Sequence, residues 1–262
     1  MSYWRSLSLK PLFIRPPYPE APMTAEDGRK EMDRLLNYSM LFSCLLAVFR
    51  VIHTGRSTFL FLIWNLFLAY VPYVISGWMS RRQARAEHEG QGRGGTGMVI
   101  LFVFWLLFVP NTFYILTDLY HLGDSYNDRQ VPEWFDLVLI LSFAWNGLLL
   151  GVLSVRHVEK LLQPWLSMGR WGMLWGRPGG NGSAWLFVYP IMWLNALGVY
   201  TGRYLRYNSW EIVSNPFRLL IDIARMIIHP LQHHYAWDMI FCFSILMTLM
   251  YLMLKRVSHL LA

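Results

Sequence analysis

The stretch GMVILFVFWLLFVPNTFYILTDLYH, residues 97–121, decides the fold class. It carries no charge before Asp118, so an uncharged run of about 20 residues, the length a helix needs to cross a bilayer, precedes that carboxylate. Within it, Asn111, Tyr114, Asp118 and His121 recur at spacings of three, four and three, with Thr117 beside them. On an α-helix these residues share one stripe. Because polar groups inside a membrane are costly, the stripe predicts a site facing a cavity or a partner.

Further apolar runs of similar length predict an all-α, polytopic integral membrane bundle of about six transmembrane helices. The predicted spans are 36–54, 58–79, 97–119, 136–155, 184–204 and 237–254. The composition agrees, since 55% of the residues are hydrophobic and the mean hydropathy is +0.32. Residues 1–35 are predicted to be a cytoplasmic tail and residues 36–262 the transmembrane domain. Arg50 and His53 crowd the end of the first span, and five or seven spans are the alternatives.

Lysine and arginine gather in alternate loops. Six precede the first span and four follow the second, in the segments 1–35 and 80–96. The positive-inside bias therefore predicts that both termini are cytoplasmic. The net charge of +7 comes from basic residues that border the spans, where they set the topology and meet anionic lipid headgroups. It therefore does not indicate nucleic acid, which is excluded as a partner. One loop departs from the bias, because Arg203, Arg206, Arg218 and Arg225 would all lie outside.

Residues 216–229 predict a short amphipathic helix on the outer surface. Pro216 suits a first helical position, and Pro230 ends the helix. The polar residues Arg218, Asp222, Arg225 and His229 recur at spacings of four, three and four. A helix of this length is too short to span and is typical of a membrane interface.

The fifth predicted span supplies partners for the polar stripe. Asn195, Gly198, Gly202 and Arg206 share one of its faces, and the two glycines form a pair that lets another helix approach closely. Arg203 and Arg206 lie at the same predicted end as Asp118, with Asn208 nearby. Asn65, Asn146 and Asn195 predict either hydrogen bonds between helices or the lining of a site.

Three functions fit this two-helix site. The first is recognition or transport of a small polar or anionic solute or a lipid headgroup, with Arg203 and Arg206 binding the anion. The second is an enzyme acting on an envelope lipid or glycan precursor, with Asp118 and His121 in acid–base chemistry or as two metal ligands. The third is a structural or assembly partner. No cofactor motif occurs, and His229, His233 and His234 match no zinc spacing, which favours a surface cluster.

Four segments resemble a family of bacterial multi-pass membrane proteins, domain of unknown function 1361. They are NLFLAYVPYVIS at 65–76, WLLFVPNTFYILTDLYHL at 105–122, WFDLVLILSFAWNGLLLG at 134–151 and LGVYTGRYLRYNSWEIVSNP at 197–216. The resemblance covers about 50–255 and implies a bacterial inner-membrane protein. Family members often carry a second proline where this chain has Phe113. The family supplies no established activity, so it assigns no catalytic residue here.

Overall fold

The computed structural model describes residues 25–90, 95–127, 131–167, 181–207 and 216–260. Every regular element in these ranges is helical. The helices are α1 Ala25–Thr54, α2 Phe61–His88, α3 Thr96–Phe108, α4 Pro110–Tyr114, a 3₁₀ segment Ile115–Asn127, α5 Glu133–Ser167, α6 Asn181–Arg203, α7 Pro216–Ile228 and α8 His234–Leu260. Among the described residues, 25–38 belong to one compact unit and those from 39 onward to another. All contacts discussed below lie within the second unit.

Five stretches of the described chain are long and apolar enough to cross a membrane. They are Asp27–Thr54, Phe61–His88, Thr96–Gly123, Glu133–Pro164 and His234–Ser258. Each overlaps one predicted span, and α6 occupies the remaining predicted span, 184–204. The short amphipathic helix is confirmed as α7. The prediction of a helical membrane bundle is therefore confirmed.

Two helices extend beyond the bounds of the predicted spans. Helix α5 continues to Ser167, beyond the predicted span end at 155, and this extension carries the buried carboxylate of Glu159. Glu159 receives hydrogen bonds from Lys255 Nζ at 2.6 Å, from Arg156 Nη1 at 2.6 Å and from the Tyr251 hydroxyl. Helix α1 begins at Ala25, so it takes in the last part of the predicted tail. Residues 1–24 lie outside the described ranges.

The third predicted span is not one α-helix. It breaks at Val109 because Pro110 has no N–H and its ring clashes with the preceding turn. Two carbonyls at the break accept side-chain donors instead: Asn111 Nδ2 lies 3.0 Å from Phe108 O, and Thr112 Oγ1 lies 2.7 Å from Val109 O. The chain then continues as a 3₁₀ segment of 13 residues. Most 3₁₀ helices are only about three or four residues long.

Helix α4 is held between two pairs of glycines. A Cβ at Gly147 would lie 2.2 Å from Ile115 Cγ2, and one at Gly151 would lie 2.6 Å from Thr112 Oγ1. On the α6 side, a Cβ at Gly198 would lie 2.6 Å from Pro110 Cβ. The close approach predicted for the α6 glycines is therefore confirmed, and its partner is α4. The spacing of the glycines on α5 and α6 lets backbones pack closely on both sides of α4.

Helices α5, α6 and α8 share an apolar core with α3 and α4. Its fully buried members include Trp105, Phe113, Val155, Met192 and Tyr251. A buried ion pair closes the opposite side of α5, where Arg50 Nε lies 2.7 Å from Asp136 Oδ1. Ile115, Leu119 and Leu122 of the 3₁₀ segment pack in a second apolar cluster. The segment lies next to the last turn of α6, at Arg203, and we call this the Arg203 end of the bundle.

Candidate functional site

The polar groups at the Arg203 end converge on the carboxylate of Asp118. This side chain is only 1% exposed. Its Oδ2 accepts a hydrogen bond of 2.8 Å from Asn65 Nδ2, and its Oδ1 lies 3.7 Å from Arg203 Nη1. Within the described chain, Oδ1 has no hydrogen-bond partner. Asp118 is therefore fixed on one side by an amide and faces a cation on the other side without bonding to it.

Arg203 links Asp118 to two aromatic rings. Its Nη1 lies 3.2 Å from His121 Nε2, and its guanidinium carbon lies 5.6 Å from the centre of the Tyr120 ring. The His121 ring meets Phe61 edge-on, at 5.1 Å between centroids. We call Asn65, Asp118, Tyr120, His121 and Arg203 the Arg203 cluster. Asp118 is buried at its base, whereas the Arg203 side chain is 20% exposed and Tyr120 is open to the surroundings.

The 3₁₀ conformation explains why Asp118 and His121 meet the same arginine. With three residues per turn, side chains at i and i+3 stand directly above one another. Asp118 and His121 have this spacing, and the segment packs against α2 and α5. The α-helical stripe expected from the sequence therefore divides at Tyr114, and only its second half, Asp118 and His121, reaches Arg203.

The first half of the predicted stripe, from Asn111 to Tyr114, and Thr117 beside it stabilise the local backbone. Asn111 bonds to its own helix, as described above, and Thr117 Oγ1 lies 2.6 Å from Tyr114 O. The Tyr114 ring packs on Gly202, where a Cβ would lie 3.2 Å from Cε2. These residues hold α4 and the start of the 3₁₀ segment in place.

Asn146 and Asn195, both predicted as site residues, lie elsewhere in the bundle. Asn146 Nδ2 bonds to Ser43 Oγ at 2.9 Å and so ties α5 to α1. Asn195 is fully buried, and its Nδ2 lies 3.9 Å from Met192 Sδ on the same helix. Neither has a recorded bond to the Arg203 cluster. Asn146 acts between helices, the alternative role that the sequence allowed.

Arg206 and Asn208 do not complete the cluster in the described chain. Arg206 is exposed and adopts φ of +59°, a left-handed conformation that is uncommon outside glycine. This turn lets the Tyr207 N–H return to Thr201 O at 3.1 Å. Asn208 lies outside the described ranges. Of the two arginines predicted to partner Asp118, the structure brings Arg203 to it.

Asn65 and Tyr120 also belong to the cluster. The sequence left Asn65 between a hydrogen bond between helices and the lining of a site, and it did not select Tyr120. Asn65 is the only strongly polar side chain in the apolar part of α2, which is a usable signal, but nothing in its spacing indicates its partner. Tyr120 follows the stripe without being part of it. Both assignments depend on contacts between distant segments.

In the described ranges, no three His, Cys, Asp or Glu side chains gather closely enough to hold a metal ion. The cluster brings together an amide, a carboxylate, an imidazole and a guanidinium. Such a set can orient the guanidinium and exchange hydrogen bonds with a polar ligand.

Comparison with known proteins gives one informative match. The sequence model described as "Protein of unknown function (DUF1361)" matches residues 64–250, a range that includes the whole Arg203 cluster. No curated protein and no solved structure gives a significant match.

Proposed function

Because the chain belongs to the DUF1361 family, whose function is unknown, we propose from its own geometry that it recognises a small polar or anionic group through Arg203. That group is a soluble solute or a lipid headgroup at the outward-facing end of the bundle. The observation that carries the proposal is the 3.7 Å ion pair between Arg203 Nη1 and buried Asp118 Oδ1, in which Oδ1 accepts no hydrogen bond within the described chain.

An arginine in this position suits ligand binding. Its planar guanidinium has five N–H donors, and the described chain records a hydrogen bond from one of its nitrogens to His121. The nearby carboxylate keeps the guanidinium at the cluster without using its donors. Since the side chain is partly exposed and Asp118 is not, a ligand would meet Arg203 first.

The proposed setting is a bacterial inner membrane with both termini in the cytoplasm. The loop charges support this orientation, because the basic segments 1–35 and 80–96 are separated by two predicted spans and would therefore share the cytoplasmic side. The Arg203 cluster then faces outward. Arg203, Arg206, Arg218 and Arg225 would then lie outside, where the positive-inside bias disfavours arginine, and a role in binding explains their presence there.

Phosphate binding by matched arginine variants tests this proposal. Purified full-length protein is titrated with inorganic phosphate while its thermal unfolding is followed by tryptophan fluorescence, because a ligand that binds only the folded state raises Tm. Wild type and Arg206→Gln are expected to show the same phosphate-dependent rise, and Arg203→Gln none. Arg206 is the control, since it is an exposed arginine three residues beyond the end of α6. An equal rise in all three proteins, or no rise in wild type, would contradict the proposal.

A structural role is a second candidate, favoured by the way Asn65, Asp118, His121 and Arg203 pair among themselves. The glycine face of α6 is not open to a partner helix, because α4 already packs against it. This counts against assembly through that face. A structural role predicts that Arg203→Gln lowers Tm to the same extent with and without phosphate. The titration above therefore separates the two functions.

A further inference from the structure

Helix α7 has three different faces. Leu219 and Met226 are buried against the bundle, and Arg218, Asp222, Arg225 and His229 form the polar face. The third face is apolar and exposed. It consists of Phe217, Leu220, Ile221, Ile227 and Ile228, with Phe217 78% and Ile228 68% exposed. A helix with one polar face and one exposed apolar face is typical of the boundary between headgroups and acyl chains.

The polar face of α7 is predominantly cationic. Asp222 accepts a 2.7 Å hydrogen bond from the Tyr207 hydroxyl and lies 3.6 Å from Arg225 Nη1. Its charge is therefore already partly compensated. Arg218, Arg225 and His229 remain exposed beside it. At a membrane interface this face attracts anionic headgroups.

An apolar groove lies between α6 and α8. It is lined by Tyr189, Pro190, Trp193, Leu194 and Phe241, and its volume is about 520 Å³. An engineered cavity of about 150 Å³ already admits benzene, so this groove has room for a chain segment of many carbons. It opens to the side of the bundle, where acyl chains surround a membrane protein.

Trp237 connects α7 to the groove. Its indole Nε1 lies 3.2 Å from Met226 O on α7, and its ring stacks on that of Trp193 with 6.2 Å between centroids. Met226 is adjacent in sequence to the exposed Arg225. The stacked indoles of Trp193 and Trp237 thus connect α7, which carries the cationic face, to the α6–α8 groove.

We infer that α7 and the α6–α8 groove form a binding site for an anionic phospholipid. One acyl chain lies in the groove against Trp193, Leu194 and Phe241, and the phosphate meets Arg225 and Arg218. The polar, cationic face of α7 favours an anionic headgroup, and the groove accommodates one acyl chain. This site is separate from the Arg203 cluster and persists when Arg203 is replaced.

Photolabelling by lipids of defined headgroup tests this site. Full-length protein is placed in phosphatidylcholine vesicles with a trace of phosphatidylglycerol carrying a diazirine in one acyl chain, or with phosphatidylcholine carrying the same group. Labelled peptides are then quantified by mass spectrometry. We expect the phosphatidylglycerol probe to label α6 and α8 well above α5, and the phosphatidylcholine probe to label them weakly.

Two substitutions separate the groove from the headgroup contact. Leu194→Trp fills the groove and should reduce labelling of α6 and α8 by the anionic probe to the level of the neutral probe. Leu141→Trp, at an exposed apolar position of α5, is the matched control and should change nothing. Arg225→Gln should lower labelling by the anionic probe about fivefold, since one cation at a lipid surface contributes about 1 kcal/mol.

Equal labelling of α5, α6 and α8 by both probes would overturn the inference, because it indicates ordinary surrounding lipid. Unchanged labelling in Leu194→Trp would do the same. Arg203→Gln is expected to keep the groove labelling while losing the phosphate-dependent rise in Tm. Failure of the lipid site can therefore be distinguished from failure of the Arg203 proposal.

Discussion

Replacing Gly147 with alanine should destabilise the bundle by about 2 kcal/mol. The new Cβ would lie 2.2 Å from Ile115 Cγ2 and 2.8 Å from the backbone oxygen of Thr112. Carbon atoms in contact normally lie about 3.5–4.0 Å apart. A backbone atom cannot move aside without shifting α4, so the cost lies at the upper end of the range for overpacking, about 3 kcal/mol. The gain in helix propensity over glycine returns about 1 kcal/mol, which leaves a loss of about 2.

Reversible unfolding in mixed micelles of mild detergent and dodecyl sulfate, followed by tryptophan fluorescence, measures this loss. Gly77→Ala is the matched control, because its new Cβ would meet only the guanidinium of Arg81, at 3.9 and 4.0 Å. That substitution should be neutral or stabilising by up to about 1 kcal/mol. If Gly147→Ala is as stable as Gly77→Ala, α4 is not clamped against α5 as described.

Two further substitutions test buried polar contacts by the same unfolding measurement. Asp136→Asn leaves the buried guanidinium of Arg50 without its countercharge and should cost about 3–5 kcal/mol; a loss below about 1 kcal/mol would contradict the pairing. Tyr251→Phe removes the hydroxyl that donates to Glu159 and should cost about 1.5–3 kcal/mol, whereas Tyr204→Phe, at an exposed ring, should cost almost nothing. Equal effects of the two tyrosine substitutions would refute that assignment.

The positions of the helices could be predicted because hydrocarbon imposes a length and excludes charge. Each apolar run of about 20 residues became a helix for this reason. The same rule failed at the charged end of α5. Glu159 is buried there because Lys255, almost a hundred residues later, supplies its countercharge. A pairing over that distance leaves no local signal.

The break at Pro110 was foreseeable, but the 3₁₀ segment beyond it was not. Proline removes a donor wherever it occurs in a helix, so the sequence predicts a disturbance. The segment begins at Ile115, whose side chain packs against Gly147 of α5, a contact between distant parts of the chain. The pair Gly147 and Gly151 has the same spacing as Gly198 and Gly202, and it would have indicated a second close contact.

The candidate site was predicted in part. Asp118, His121 and Arg203 were selected because ionisable groups near a membrane are costly and require partners. The choice between Arg203 and Arg206 depended on the end of α6, where the left-handed turn at Arg206 departs from the helix. Asn65 could be recognised as a polar residue in an apolar helix, but its bond to Asp118 joins segments 53 residues apart.

A double-mutant cycle on Asp118 and Arg203 tests most directly whether the 3₁₀ segment and α6 form one site. The free energies of unfolding of Asp118→Asn, Arg203→Gln and the double variant are compared with a second cycle in which Arg206→Gln replaces Arg203→Gln. We expect a coupling energy of about 0.5–3 kcal/mol for Asp118 with Arg203 and additivity within about 0.5 kcal/mol for Asp118 with Arg206. Additivity in both cycles, or an equal coupling in both, would contradict the account.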